Sequence, residues 1–190
     1  MKSTTRHRTP PSLGSKLEVL NKQVAECKKC SFCQQHKPLD KQKYGTIKYD
    51  GIPYLVEDFY LFVSDFPTEV EDIVMTPLVD KEAKVVRNLI SSLLSPEKYL
   101  VVNSIICPPY HIQPTIKEQL DCSHHLLNYI NTLKPRTIFS IGKFPTKLLK
   151  KLEIPFIELP GIDAVASSQL QYQRFKLILS KHLELQGTTN

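Results

Sequence analysis

Five cysteines carry most of the chemical weight in this chain, and they fall in two places: Cys27, Cys30 and Cys33 in one short run, then Cys107 and Cys122 far along. In a protein read as intracellular, thiols in this pattern point to metal rather than to disulfides. A structural zinc site usually joins two close pairs, and the wide gap between Cys107 and Cys122 supplies no second pair. Four thiolates, two from a tight loop (Cys27, Cys30) and two from separate elements (Cys107, Cys122), suit a cubane 4Fe–4S cluster, whose corners need ligands from different directions. Spacing alone leaves a plainer alternative open, in which Cys107 and Cys122 are simply buried, since cysteine is among the most buried residue types.

The elements that must position these thiols can be traced from periodicity. Leu17, Leu20, Val24 and Cys27 recur at helical spacing behind Ser15, which predicts an N-cap at Ser15 and a helix whose last turn delivers Cys27. Residues 34–57 are lysine-rich and broken by Pro38, Gly45, Gly51 and Pro53, the composition of a long loop or loose hairpin. Asp58–Val63 and Tyr99–Ile106 are nearly continuous apolar runs, as expected of strands covered on both faces. Between them Asp80 can cap a helix whose stripe runs from Val85 to Leu94 and stops at Ser95-Pro96.

Thr115-Ile-Lys-Glu118 has the form of a capping box opening a helix to Leu133, with Cys122 inside it. Arg136–Ile141 reads as a third strand, followed by a turn at Gly142 and a short helix with Pro145 in its first turn. Phe156–Leu159 reads as a fourth strand, and Leu170–Leu183 as a closing helix. Strands alternating with helices predict an α/β fold of three layers, α/β/α, around a central parallel four-stranded sheet.

The chain has 190 residues, the size of one domain, with ordinary hydrophobic (41%) and charged (23%) content and no apolar stretch able to span a bilayer. The expected organisation is a flexible basic arm at 1–14, a single domain at 15–186 and a tail at 187–190. The start lacks the apolar core of a secretory signal, while its basic, acid-free character suits either a mitochondrial presequence or an arm that touches phosphates. The formal charge of +6 is unevenly placed: eleven Lys and Arg between Lys2 and Lys48 face only Glu18, Glu26 and Asp40. Such a quarter is either the electrostatic footprint of a polyanion such as DNA or a solvated lysine surface, and charge alone does not separate the two.

Taken together, Cys27-x-x-Cys30, Ser64-Asp-Phe-Pro-Thr68, Glu69-Val-Glu-Asp72, Pro77-Leu-Val-Asp80, Val102-Asn103, Cys107-Pro-Pro109, Cys122 and Pro135-Arg136…Ile141-Gly142 follow one another in an order and spacing that resembles the iron–sulfur, family 4 uracil-DNA glycosylases over residues 17 to about 150. The resemblance implies the uracil-DNA glycosylase fold, a 4Fe–4S cluster on Cys27, Cys30, Cys107 and Cys122 with Cys33 not a ligand, and DNA as partner. It places the water-handling carboxylate at Asp65, the base-contacting positions at Phe66 and Leu78, and the residue that reads the uracil edge at Asn103.

The sequence departs from that family at the same positions. Asp65 stands where relatives carry Glu, which withdraws the carboxylate by about 1.5 Å, and misplacement on the order of an ångström can cost roughly a hundredfold in rate. Ser64 and Thr68 replace glycines, Phe66 replaces a small alanine, and Leu78 replaces the aromatic that stacks on the base, offering no π face. Asn103 also has a purely structural reading, the satisfaction of backbone groups at a strand end. The family histidine that stabilises the departing base should fall near Val165-Ala-Ser-Ser-Gln169, where there is none. The expectation is therefore a DNA-binding iron–sulfur protein with a degraded base pocket, a non-catalytic DNA-binding or scaffold subunit beside replication or repair proteins. The alternatives are an active uracil-DNA glycosylase and, least supported, an electron-transfer or redox-sensing protein.

Overall fold

The computed structural model describes residues 12–29, 32, 56–74, 76–109 and 113–184. Helix α1 spans Leu13–Ala25 and is capped by Ser12, whose hydroxyl accepts from the Ser15 backbone N–H at 3.2 Å. The cap is thus one turn earlier than Ser15. Ser12 is the one of the two serines with extended backbone (φ −61°, ψ 158°), as the cap position requires. The helix ends at Ala25, and Cys27 follows its last turn.

Four strands form one sheet: β1 (Tyr60–Ser64), β2 (Tyr99–Asn103), β3 (Thr137–Ile141) and β4 (Ile157–Leu159). Their spatial order is β2-β1-β3-β4, and every neighbouring pair is parallel. Tyr60 to Ser64 lie level with Tyr99 to Asn103, so the first two strands finish side by side. The expected run of β2 to Ile106 is cut short. Ser104 N–H turns to Ser64 O at 2.8 Å and Ile105 N–H to Asp65 O at 3.3 Å, so the apolar Ile105 and Ile106 serve the turn instead of the strand.

Between the strands lie α2 (Glu69–Val74), α3 (Lys81–Leu93), α4 (Ile116–Leu133), α5 (Lys143–Lys151), α6 (Ile162–Ser167) and α7 (Gln169–Glu184). The capping box at Thr115 and Glu118 forms as expected. The short helices α2 and α6 were not anticipated, six residues being too few to display a periodicity.

Strand side chains alternate between two cores. Leu61, Val63, Leu100, Val102 and Ile138 pack with Leu20, Val24, Leu126, Tyr129 and Leu149 of α1, α4 and α5. Phe62, Val101, Phe139 and Ile141 pack with Val86, Leu89, Ile90, Phe175 and Leu179 of α3 and α7. The result is the expected three-layer α/β/α arrangement, with burial of both sheet faces explaining the uninterrupted apolar strands. No helix among the described residues is long and apolar enough to cross a membrane. The arm at 1–11, Cys30, Cys33, the loop at 34–55, His111 and the tail at 187–190 lie outside the described residues.

Candidate functional site

In a parallel sheet, function gathers beyond the carboxyl ends of the strands, at the point where successive connections leave in opposite directions. Here that point lies between β1, which is followed through the chain by its neighbour β2, and β3, on the other side. Asp65 stands at the exit of β1 and Gly142 at the exit of β3. Gly142 adopts φ +94°, and a Cβ there would lie 3.2 Å from the Gly161 Cα and 3.7 Å from Asp65 Oδ1. Both the conformation and the close approach of the turn after β4 thus require glycine. Gly142 N–H donates to Leu159 O at 3.1 Å, and Thr146 Oγ1 donates to Gly142 O at 2.7 Å, which locks the turn.

Asp65 Oδ1 is buried without a hydrogen-bond partner among the described residues. Its pKa is pushed up to about 6, first by desolvation and then by the charge of Asp163. Beside it, Ser64 Oγ donates to Asn103 Oδ1 at 2.9 Å in a buried bond, following from the level ends of β1 and β2. Asn103 Nδ2 has no partner among the described residues, although the side chain is buried. The site therefore offers one carboxyl group poised between its two protonation states and one amide donor with unspent hydrogen-bonding capacity.

The segment after Asp65 is organised by Glu71. Thr68 caps α2, with Glu71 N–H donating to Thr68 Oγ1 and Thr68 N–H donating to Glu71 Oε2, both at 3.2 Å. The other carboxylate oxygen, Oε1, accepts from Leu78 N–H, which holds Leu78 at φ +57°. Burial raises Glu71 to a pKa of about 7; hydrogen bonds from the Thr68, Leu78 and Val79 backbones oppose the rise, and Asp80 adds to it. The Asp80 side chain accepts from Thr68 Oγ1 rather than capping α3. Glu71 was not marked as functional from sequence, yet Thr68-x-x-Glu71 is the capping-box pattern already recognised at Thr115.

Phe66 packs against the first core and meets Phe144 edge-on at 5.6 Å. Leu78 is fully buried in the second core with Val86, Leu89 and Ile90. A cleft of about 400 Å³ adjoins the site between Gly142, Gly161 and α7, with Lys143, Gln171 and Arg174 on its walls.

At a second pole, α1 packs on α4: Tyr129 Oη donates to Asn21 Oδ1 at 2.7 Å. The packing sets Cys27, half-buried, against His124 and His125, with ligand atoms of all three within 4.8 Å of one another. Cys122 precedes these histidines by two and three residues, and its Sγ accepts from Ile106 N–H at 3.5 Å. Cys107 and Cys122 share the first core with Val24 and Phe32. Burial, the neighbouring His124 and Lys29 push the His125 pKa down to about 4.

No family model matches the chain. Four curated proteins match at 26–28% identity, all described as type-4 uracil-DNA glycosylases. That of Saccharolobus solfataricus is 28% identical over 71% of this chain, and that of Sulfurisphaera tokodaii 27% over 70%. The chain is a divergent relative of the type-4 uracil-DNA glycosylases. The alignments cover 59% and 57% of those two relatives, so the chain spans under two thirds of their length. A Thermotoga maritima relative of the same description is 28% identical over 66% of this chain and 62% of its own length.

Against the type-4 glycosylase pattern, the described residues bring Asp65, Ser64 and Asn103 together and set Leu78 and Phe66 into the two cores. The segment expected to correspond to the histidine loop forms the end of α6 and the start of α7: Val165 is buried in the second core, and Ala166, Ser167 and Gln169 are exposed. Gly161, across Gly142, and the charge of Asp163 are what the β4–α6 turn brings toward Asp65. His182 is engaged within α7 and against the sheet, with Nδ1 2.8 Å from Ile178 O and its ring edge-on to Phe139.

Proposed function

We propose that this chain is a DNA-binding iron–sulfur protein of the uracil-DNA glycosylase superfamily in which uracil excision is lost or strongly reduced, and that it serves as a binding or scaffold subunit in replication or repair. The observation that carries this reading is Leu78. At the position where the resemblance calls for a ring to stack on the base, an aliphatic side chain is fully buried in the core. Base–aromatic stacking contributes about 1–3 kcal/mol per base, which this side chain does not supply. The Ser64 hydroxyl adds to the effect by occupying one lone pair of Asn103 Oδ1, the acceptor a uracil N–H would need. The cations Lys143 and Arg174 beside the cleft and the uneven charge of the first quarter support a polyanionic partner.

The cysteine pole fits the proposed cluster at its three described positions. Cys107 and Cys122 are buried in one core, Cys27 follows the helix packed on α4, and the Ile106 N–H aimed at Cys122 Sγ is the kind of donor that stabilises a ligating thiolate. With Cys30 as fourth ligand, a 4Fe–4S group would tie α1, the segment after β2 and α4 together.

A second reading, an active glycosylase, is favoured by one observation: Asp65 Oδ1 and Asn103 Nδ2 are left unspent, an acceptor of the kind that orients a water and a donor of the kind that binds a base carbonyl. One experiment separates the two. Protein purified anaerobically, with iron measured on the same sample, is incubated in excess over a uracil-containing oligonucleotide that is then heated in alkali. The proposal expects intact strands together with salt-dependent anisotropy on DNA, and efficient strand breakage overturns it.

A further inference from the structure

We propose that the outward face of α7 is a docking surface for an acidic amphipathic helix of a partner protein. The inner face of this closing helix is anchored by Phe175 and Leu179, both fully buried in the second core. At about 100° of rotation per residue, Leu170, Arg174, Leu177 and Lys181 fall within an arc of about 60° on the opposite side. Leu170 and Leu177 are 74% and 70% exposed, more than any other large apolar side chain among the described residues. A lone exposed leucine needs no explanation, but two on one line of a helix, about 10 Å apart, make a stripe.

The charge around the stripe identifies what covers it. From Gln169 to Leu183 the helix carries Arg174, Lys176 and Lys181 and no acidic residue. None of these three cations is in an ion pair among the described residues, and Glu158, the acidic side chain of the adjoining cleft, is paired with Lys150 at 4.0 Å. A partner must therefore bring apolar side chains for the leucines and carboxylates for the cations on one surface. A helix with apolar residues at three- and four-residue spacing, flanked by Glu or Asp, supplies both. A DNA backbone would match the cations but offers nothing to the two leucines, and a second copy of this chain would set like charges against each other. The stripe lies beyond residue 150, outside the stretch whose motifs resemble the glycosylases, so that resemblance does not account for it.

The inference does not depend on the loss of uracil excision, and strand breakage in the uracil assay would leave it standing. The probe is a fluorescein-labelled, helix-forming peptide of about 18 residues with leucines along one face and glutamates flanking them. A counterpart carries lysine at every glutamate position. Measured by anisotropy on the full chain purified anaerobically, the glutamate peptide should bind about tenfold or more tightly than the lysine peptide, and less tightly as salt rises. Leu170→Ala with Leu177→Ala acts at exposed positions where alanine suits a helix, so the thermal transition should hold while affinity falls by about tenfold or more. Lys176→Glu with Lys181→Glu should reverse the preference between the peptides; Arg174 is spared because it also lines the cleft beside Asp65. No measurable peptide binding, equal binding of the two peptides, or full affinity in the leucine variant would each overturn the proposal. So would self-association that the leucine variant abolishes, which would assign the stripe to a second copy. Weakened duplex binding by the lysine variant with unchanged peptide binding would overturn it too, assigning those cations to DNA.

Discussion

Asp65 owes its raised pKa to where the sheet leaves it: at the exit of a central strand, in a gap closed by Gly142 and Gly161, with Asp163 contributing like charge. The consequence for stability follows from linkage. The folded-state value of about 6 lies above the ordinary 3.8, so the native state keeps a proton that the unfolded chain releases. Stability therefore falls as pH rises from about 4 to about 6 and stays reduced above that window. Asp65→Asn removes the ionisation and should raise stability at pH 8 by on the order of 2 kcal/mol, while leaving pH 4 little changed. Urea denaturation of both proteins at pH 4, 6 and 8 reads this directly, and equal pH slopes would mean that the carboxyl is solvated. A slope belonging to Glu71, which rises from 4.5 to about 7 for the same reason, should persist in the variant.

The stretch from Thr68 to Leu78 behaves as one element because a single carboxylate ties its ends. Glu71 accepts from Thr68 N–H at the start of α2 and from Leu78 N–H beyond its end, and Leu78 pays for the closure with a left-handed backbone. Glu71→Ala leaves both donors without their acceptor in a buried setting and should destabilise by about 2–3 kcal/mol. Glu71→Gln keeps one carbonyl oxygen and should cost less than half as much in the same thermal or denaturant experiment. Equal effects of the two substitutions would show that packing, not hydrogen bonding, holds the segment. What was legible in the sequence follows the same division between local and distant causes. The four strands, the capping box at Thr115 and the long helices could be read because apolar period and caps are properties of adjacent residues. The β2 end could not, since Ile105 and Ile106 continue the apolar run and only the carbonyls at the exit of β1 turn them aside. Ser12 and Ser15 are equally able caps one turn apart. The approach of Asp163 to Asp65, and of His124 and His125 to Cys27, depends on connections that no local pattern encodes. Thr68-x-x-Glu71 was readable, and its form alone could have announced the short helix it opens.

For the molecule as a whole, counterion release distinguishes the two readings of the charge pattern, a DNA footprint and a solvated lysine surface. Each phosphate contact contributes roughly −0.9 to the slope of log affinity against log salt on duplex DNA and about −0.7 on single strands. Residues 1–11 carry Lys2, Arg6 and Arg8 and no acidic side chain. If all three meet phosphates, deleting residues 1–11 should make the slope shallower by about 2–3, with the folded domain and its thermal transition unchanged. Fluorescence anisotropy across a salt series on duplex and single-stranded oligonucleotides measures both slopes. Because non-specific affinity is mostly this electrostatic contribution, the truncated chain should also bind more weakly at low salt and converge on the full chain at high salt. An unaltered slope would assign the three cations to solvent and leave Lys143 and Arg174, at the cleft beside Asp65, as the next cations to replace.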